Sequence, residues 1–166
     1  MIRELCERLG VLETRVVEDE REAETYWTAR SNLYPLLMSF LKKVIVEDVT
    51  VPRHRMSEFV KSVEAISAET GVAIGVSGHA GDGNMHPSIL MGEISDELEK
   101  KANDAIDKIV KAGLRLGGCI SGEHGIGVHK APYIVEELGE RQIALFKSIK
   151  KAMDPKGIMN PGKIWV

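Results

Sequence analysis

The stretch "SGHAGDGNMHPSILM", residues 77–91, predicts a β-hairpin. Runs of small, apolar and β-branched residues flank the Asp-Gly pair at 82–83, a dipeptide typical of two-residue hairpin turns. With that turn at the centre, His79 lies directly opposite His86, and directly opposed residues share one face of the sheet with Cβ atoms about 4.5–5.5 Å apart. This spacing lets two imidazoles reach one metal ion, since Zn–N distances are about 2.0–2.1 Å.

Two histidines on one face of a hairpin fit a metal site and a solvated surface equally well. A catalytic zinc ion takes three protein ligands, so a third is needed. The run "SGEHGIG", residues 121–127, offers Glu123 and His124, because glycines on both sides let an irregular loop turn both side chains toward one point. The same run also fits a loop whose glycines only turn the chain. It lacks the Lys-Ser/Thr ending of a phosphate-binding loop.

The order of the predicted elements is that of a split β-α-β-β-α-β, or ferredoxin-like, domain. We therefore expect an α+β fold in which helices flank an antiparallel sheet and further helices follow. The predicted strands are residues 42–52, 72–78, 84–91 and 114–120, and the predicted helices are 54–70 and 95–112, ended by Gly71 and Gly113. Outside this core we predict a helix over 1–10, a β-rich run over 11–17, and helices over 132–138 and 141–153.

The ferredoxin-like order conflicts with a metal site that includes Glu123. In that order the fourth strand ends at the opposite end of the sheet from the tip of the central hairpin. The loop after residue 120 would then have to return toward His79 and His86. Either the sheet deviates from this order or the three side chains do not meet.

A helical stripe near the start of the chain carries a cation. From residue 19 onward, apolar residues recur at spacings of three and four, and the stripe comprises Ala23, Trp27, Arg30, Tyr34 and Leu37. Pro35 must kink this helix or divide it in two. A guanidinium on such a stripe needs a partner. It either snorkels to water or pairs with an internal carboxylate, or it binds the carboxylate of a substrate.

Composition excludes several classes of protein. The 166 residues form one domain large enough to bury a core. The net charge is −3, and no basic stripe alternates with aromatic residues, which argues against nucleic-acid binding. No apolar run approaches the roughly 18 residues of a membrane span, and no signal peptide precedes the first charges. Two cysteines far apart, Cys6 and Cys119, favour a reducing cytoplasm over a disulfide scaffold.

Four motifs in one order resemble a known family. They are "EDVTVP" (47–52), "GHAGDGNMH" (78–86), "SGEHGIG" (121–127) and "MDPKGIMNPGK" (153–163). Together they resemble the C-terminal cap domain of FAD-linked 2-hydroxy-acid oxidoreductases. This group comprises D-lactate dehydrogenase, the FAD subunit of glycolate oxidase and D-2-hydroxyglutarate dehydrogenase, within the vanillyl-alcohol-oxidase-type flavoproteins. The resemblance extends from about Trp27 to Trp165.

The resemblance implies roles for the residues of both histidine motifs. The positions of His79, His86 and Glu123 correspond to the ligands of a divalent metal ion, commonly zinc. The position of His124 corresponds to the catalytic base that takes the proton of the substrate hydroxyl. An imidazole suits this task because its unperturbed pKa is near 6.5.

The resemblance also implies contacts with the substrate and the flavin. Arg30 corresponds to the arginine that binds the substrate carboxylate, and Asn84 to an asparagine of the same pocket. Asn160 and Lys163, in the "NPGK" turn, correspond to residues near FAD. In D-2-hydroxyglutarate dehydrogenases a lysine that binds the substrate lies near the position of Val46. Its absence here favours a small 2-hydroxy acid such as D-lactate or glycolate over a dicarboxylate.

One part of the family's architecture has no counterpart in the sequence. The FAD-binding domain precedes the cap in the family, so we expect this chain to act with an FAD-binding domain or subunit and not to turn over alone. Two alternatives from other classes stay open. They are a stand-alone metal-dependent hydrolase and a non-catalytic assembly module that docks through its apolar tail and Trp165. A homo-oligomer and a peripheral membrane location through a partner are also compatible with the sequence.

Overall fold

The computed structural model describes residues 2–164, which divide into two compact units. The first unit ends at Phe40 and contains three helices: α1 (Ile2–Arg8), α2 (Glu20–Ser31) and α3 (Leu33–Phe40). No described residue of these helices is buried. The β-rich run predicted over 11–17 is wrong, because this segment forms no strand in the described chain. A β-strand needs a neighbouring strand for its backbone hydrogen bonds, and none pairs with this segment in the described chain.

The predicted division of the helix near Pro35 is confirmed. Asp19 caps α2 by accepting a hydrogen bond from the backbone N–H of Glu22 at 2.9 Å. The helix ends at Ser31, and Pro35 lies in the first turn of α3, where a missing N–H costs no hydrogen bond. Trp27 is 65% exposed, and Arg30 is exposed as well. The apolar stripe therefore does not bury the guanidinium within this unit.

The second unit is a four-stranded antiparallel sheet with helices packed on one face. Its strands are β1 (Lys43–Val46), β2 (Val49–Thr50), β3 (Ala73–His79) and β4 (Asn84–Met91). Its helices are α4 (Met56–Thr70), α5 (Asp96–Arg115) and α6 (Ile134–Met153), with 3-10 turns at Arg53–Arg55 and Ala131–Tyr133. β4 pairs with β3 along one edge and with β1 and β2 along the other. The predicted α+β fold is confirmed.

The strand order is ferredoxin-like, but the fourth strand is almost lost. β1 and β2 are two pieces of one strand interrupted at residues 47–48, and Thr50 forms a single antiparallel bridge with Cys119. The strand predicted over 114–120 is wrong, because α5 continues to Arg115. Gly113 does not end this helix as predicted. The chain turns only at Gly117, whose φ is 76°.

Alternation along β4 decides which face of the sheet is the core. Met85, Ile89 and Met91 are at most 5% exposed and belong to the same core cluster as the buried side chains of α4 and α5. His86 and Ser88, which alternate with them, are only partly buried. Successive side chains of a strand point to opposite faces. The helices therefore cover one face, and His86 belongs to the other.

The C-terminal segment follows the predicted pattern of two helices and an apolar tail. Gly139 has non-helical dihedral angles inside α6 and divides it into two stretches, as predicted. After α6, Ile164 packs against the core and donates its N–H to the carbonyl of Gly127 at 2.8 Å. Ile158 and Met159 are 73% and 57% exposed. The predicted docking residue Trp165 lies outside the described residues. Within residues 2–164, no helix combines the length and apolarity that crossing a membrane requires.

Gly113→Ala tests the contact between α5 and the sheet. A Cβ at Gly113 would lie 2.2 Å from Cγ1 of Val49, a fully buried and stiff side chain. Overpacking costs about 1–3 kcal/mol, which exceeds the roughly 0.5–1 kcal/mol that alanine gains over glycine in a helix. We expect a net loss of about 1–2 kcal/mol in the free energy of unfolding, measured by urea denaturation.

The matched control is Gly92→Ala, where an added Cβ meets no atom within 4 Å. We expect its free energy of unfolding to stay within about 0.5 kcal/mol of the parent chain. Equal stability of the two variants would show that β2 does not lie as close to α5 as described.

Candidate functional site

The hairpin that carries both histidines has a longer turn than predicted. Four residues, 80–83, join β3 to β4, so that His79 pairs with Asn84 and Ser77 pairs with His86. The predicted direct opposition of His79 and His86 is therefore wrong. A shift of two residues keeps a side chain on the same face. The two imidazole rings still lie together, with centroids 5.3 Å apart and planes at 89°.

Contact with the end of β2 explains the longer turn. The N–H of Val51 donates to the carbonyl of Gly83 at 2.9 Å. Gly83 has a φ of 76°, and a Cβ there would lie 2.1 Å from the carbonyl oxygen of Val51. Only glycine combines this dihedral angle with such a close approach. The tip of the hairpin is thus bonded to a neighbouring strand instead of closing as a two-residue turn.

The glycine-rich loop brings Glu123 to the two histidines. Its Oε1 lies 3.4 Å from His79 Nε2 and 3.0 Å from His86 Nε2. One potential ligand atom from each of the three residues lies within 4.8 Å of the other two. His124 is adjacent: its Nε2 is 3.8 Å from the same oxygen, and its ring stacks on His86 at 5.3 Å. The structure therefore gathers three candidate ligands and the candidate base.

The shortened fourth strand removes the conflict with the ferredoxin-like order. Thr50 pairs with Asn84 beside the hairpin turn and bridges Cys119 on its other side. The segment after α5 thus contacts the sheet at the same end as the hairpin tip, through this single bridge. Glu123 follows Cys119 by only four residues, so its loop has no long path to travel back.

Asp48 holds the loop in place. One carboxylate oxygen, Oδ2, accepts four hydrogen bonds: from the hydroxyl of Ser121 at 2.7 Å and from the backbone N–H groups of Gly122, Glu123 and His124 at 2.9, 3.0 and 2.8 Å. Asp48 is fully buried, with 0% of its surface exposed. Hydrogen bonds to an ionised acceptor are stronger than neutral ones. Asp48 therefore fixes the backbone from which Glu123 and His124 project.

The hydrogen bonds also decide the charge of Asp48. Burial alone would raise the pKa of its carboxyl, but the donors from Ser121, His124, Glu123 and Gly122 outweigh burial and hold the pKa well below its usual range. Asp48 is therefore ionised at neutral pH. Our sequence reasoning missed this residue. The available signal was an acidic pair interrupting a β-branched run, "VIVEDVTV".

His86 is oriented through its other ring nitrogen. Nδ1 lies 3.2 Å from the backbone carbonyl oxygen of Glu47. Because a carbonyl oxygen only accepts, we assign Nδ1 as the donor in this contact. Nε2 then faces Glu123 Oε1 at 3.0 Å, and in the neutral ring both of these atoms are acceptors. Two acceptors this close are stabilised by a cation or a further proton, so the donor set fits a divalent ion.

Asn84 lies beneath the loop and explains a glycine. It is 6% exposed, and its Oδ1 lies 3.5 Å from the hydroxyl of Thr50. A Cβ at Gly122 would lie 2.5 Å from Asn84 Oδ1 and from Thr50 Oγ1. Glycine at 122 therefore lets the loop settle onto the sheet. The predicted role of Asn84 in substrate binding stays a prediction.

The remaining predicted residues lie elsewhere in the chain. Arg30 is in the last turn of α2, in the first unit. Asn160 and Lys163 are exposed and form a turn, in which the N–H of Lys163 donates to the carbonyl of Asn160 at 3.3 Å. The bond from Ile164 to Gly127 ties this turn to the end of the glycine-rich loop. The roles of these three predicted residues stay predictions.

A cavity of about 590 Å³ adjoins the site. It lies between β1, α5 and the segment from His124 to Tyr133. His124 lines it, as do the apolar side chains of Ile45 and Ile106. The candidate base therefore borders both the cluster of ligand atoms and this cavity.

Comparison with known proteins shows the family. Residues 1–164 match the family described as FAD linked oxidases, C-terminal domain. The chain therefore belongs to this family of FAD-linked oxidase C-terminal domains.

Individual relatives agree with this assignment. The chain is 34% identical over 164 residues to glycolate oxidase subunit GlcD of Bacillus subtilis (strain 168), a match that covers 99% of the chain and 35% of the relative. It is 32% identical over 169 residues to GlcD of Escherichia coli (strain K12), covering 98% and 34%. D-lactate dehydrogenase of Anaerostipes hadrus is 32% identical over 156 residues, covering 93% and 33%. The chain thus spans about a third of the length of these relatives.

Asp48→Asn tests the anchor of the loop. The amide keeps the shape of the side chain but removes its charge. With the amide oxygen at the Oδ2 position, the NH₂ group takes the place of Oδ1, which is buried and has no hydrogen-bond partner in the described structure. Hydrogen bonds to a charged group contribute about 1.5–3 kcal/mol. We expect the variant to lose about 2–3 kcal/mol of unfolding free energy at pH 7, measured by urea denaturation.

The pH dependence of the same variant gives a second check. The pKa of the Asp48 carboxyl is lower in the folded chain than its ordinary value of 3.8, so its contribution to stability is complete above that value and decreases as the pH falls. The gap between the parent chain and Asp48→Asn should therefore narrow from pH 5 to pH 3. Asp82→Asn, at an exposed position of the hairpin turn, is the control. A gap that stays constant with pH would contradict this assignment.

Proposed function

We propose that this chain is the substrate- and metal-binding cap of a flavin-dependent oxidoreductase that converts a small 2-hydroxy acid to the 2-oxo acid. The observation that carries the proposal is the convergence of two imidazoles and one carboxylate beside a third imidazole, in a chain of the FAD-linked oxidase family. The names of the relatives, glycolate oxidase subunit and D-lactate dehydrogenase, support glycolate or D-lactate as the type of substrate.

His79, His86 and Glu123 would hold the metal ion through two Nε2 atoms and a carboxylate oxygen. Two imidazoles and one carboxylate form a ligand set known from catalytic zinc sites, which keep a further position open for water or substrate. We therefore propose zinc. When bound, such an ion acts as a Lewis acid that lowers the pKa of a coordinated hydroxyl group. The contact between His86 Nδ1 and the Glu47 carbonyl fixes the ring that would bind it.

His124 would accept the hydroxyl proton. Its side chain is 49% exposed, so it is accessible to a substrate, and its Nε2 lies near the candidate ligands. Asp48 accepts a hydrogen bond from the backbone N–H of His124, whose ring stacks on that of His86. The proton of the substrate hydroxyl would pass to a ring nitrogen of His124. A bound FAD would supply the two-electron acceptor that the oxidation requires.

Other residues would bind the rest of the substrate and the flavin. In this proposal the guanidinium of Arg30 pairs with the substrate carboxylate, since a planar fork matches a carboxylate in two hydrogen bonds. Asn84 contributes to the same pocket, and Asn160 and Lys163 lie near FAD. The FAD-binding partner is a domain or subunit that corresponds to the part of the relatives not covered by this chain. The isolated chain then binds metal but does not turn over.

Removal of a ligand tests the metal site directly. We expect His86→Ala and Glu123→Gln to lower the affinity for Zn²⁺ at least about 100-fold, since a divalent ion left with two protein ligands is held poorly. The measurement is competition with a chromophoric chelator on the purified chain. His54→Ala, at an exposed position on a 3-10 turn, is the control and should bind zinc like the parent chain. Equal affinity in all four proteins would refute the site.

Reconstitution tests the reaction. With an FAD-binding domain supplied in trans, we expect reduction of an electron-accepting dye that depends on D-lactate or glycolate. His124→Ala should lower kcat about 10²- to 10⁴-fold, the usual contribution of a general base, whereas His54→Ala should not. Hydrolytic activity of the zinc-loaded chain without flavin, together with no dye reduction, would instead favour a metal-dependent hydrolase.

A further inference from the structure

Lys130 lies at the base of the loop that carries Glu123 and His124. The residue is 8% exposed, and its ammonium group donates to the carbonyl of Ile120 at 2.6 Å and to the carbonyl of Asp48. Ile120 precedes the loop and Lys130 follows it. One side chain thus joins both ends of the loop to the sheet.

The third partner of Lys130 is Glu47, whose Oε2 lies 3.6 Å from Nζ. The ammonium group thus donates to two backbone carbonyls and forms an ion pair with the Glu47 carboxylate. Burial lowers the pKa of Lys130 and raises that of Glu47, while the attraction between the two groups opposes both shifts. Burying such a pair carries a desolvation penalty that their mutual attraction has to offset. An apolar side chain would fill the space at lower cost, but it could not bind two carbonyls.

The two residues that Lys130 contacts on the sheet serve different halves of the site. The carbonyl of Glu47 accepts a hydrogen bond from Nδ1 of His86. The carboxylate of Asp48 accepts hydrogen bonds from the backbone N–H groups of Glu123 and His124. Residues 47 and 48, where β1 and β2 are interrupted, therefore contact His86, Glu123 and His124. Lys130 holds these two residues against the loop.

We propose that Lys130 is a positioning residue that sets the distance between His86 and Glu123. Its hydrogen bonds go to backbone carbonyls and not to the candidate ligand atoms, although it also lines the cavity beside the site. It acts by locking the loop to the strand interruption at residues 47–48. The inference rests on the proposed function for its consequence on metal binding, but the locking itself is a property of the chain alone.

Two variants test the inference. Lys130→Met keeps most of the side-chain length and removes the donors, but it leaves the Glu47 carboxylate buried without its cation. The double variant Glu47→Gln with Lys130→Met removes that unpaired charge, so it keeps the test valid where the single variant fails to fold. Lys108→Met, which loses a surface ion pair with Glu69 and Asp104, is the matched control.

The first measurement is amide hydrogen exchange by NMR, which needs no metal. In the double variant we expect exchange at residues 122–124 to be at least about 10-fold faster, because the loop opens locally. Exchange in the middle of α5, residues 105–110, should not change. Unchanged exchange at 122–124 would overturn the inference. A uniform increase across α5 as well would also overturn it, since it would assign Lys130 to general stability.

The second measurement is the affinity for Zn²⁺. Loss of a group that orients metal ligands typically costs 10- to 100-fold in affinity, and we expect a loss in that range for the double variant and none for Lys108→Met. An unchanged affinity would overturn the inference. If the parent chain binds no zinc, the metal site of the proposed function fails, and the exchange measurement alone decides the role of Lys130.

Discussion

A buried negative charge organises this site. Asp48 is removed from water, and its charge is tolerated because four donors converge on one of its oxygens. These donors come from consecutive residues of a loop that has three glycines and little side-chain surface with which to pack. Backbone N–H groups have fixed directions, so satisfying the carboxylate fixes the conformation of the loop as well. The side chains of Glu123 and His124 leave the loop where this backbone geometry directs them.

The break between β1 and β2 makes this arrangement possible. The N–H of Glu47 still bonds to Pro87 at 2.8 Å and keeps the strand in the sheet. Its carbonyl is free to bind the ring of His86, and the next carbonyl, of Asp48, is free to bind Lys130. In an unbroken strand at the centre of a sheet, such groups would bind the neighbouring strand. The sheet therefore gives up two positions of regular pairing and gains two acceptors at the site.

The sequence predicted local structure better than it predicted long-range contacts. The bounds of β4 are as predicted, since alternating side chains and a turn signal both mark them. The shared face of His79 and His86 survived an error in register, because the error was two residues. The run after Gly113 was misassigned, since leucines and glycines there are compatible with a strand and with the end of a helix. Asp48 was missed because the loop residues that donate to it are 73 to 76 residues away in sequence, and Lys130 was missed because its contact with Asp48 spans 82 residues.

The turn of the hairpin has a consequence for how chains of this kind vary. Loops between antiparallel strands usually accept extra residues, since their tips extend into solvent. Here the tip at Gly83 is hydrogen-bonded to Val51, and the space beside its Cα is filled by that residue's carbonyl. An insertion would displace His79 from His86 or break the bond to the neighbouring strand. Variation in length among relatives that keep the same chemistry should therefore occur in other loops.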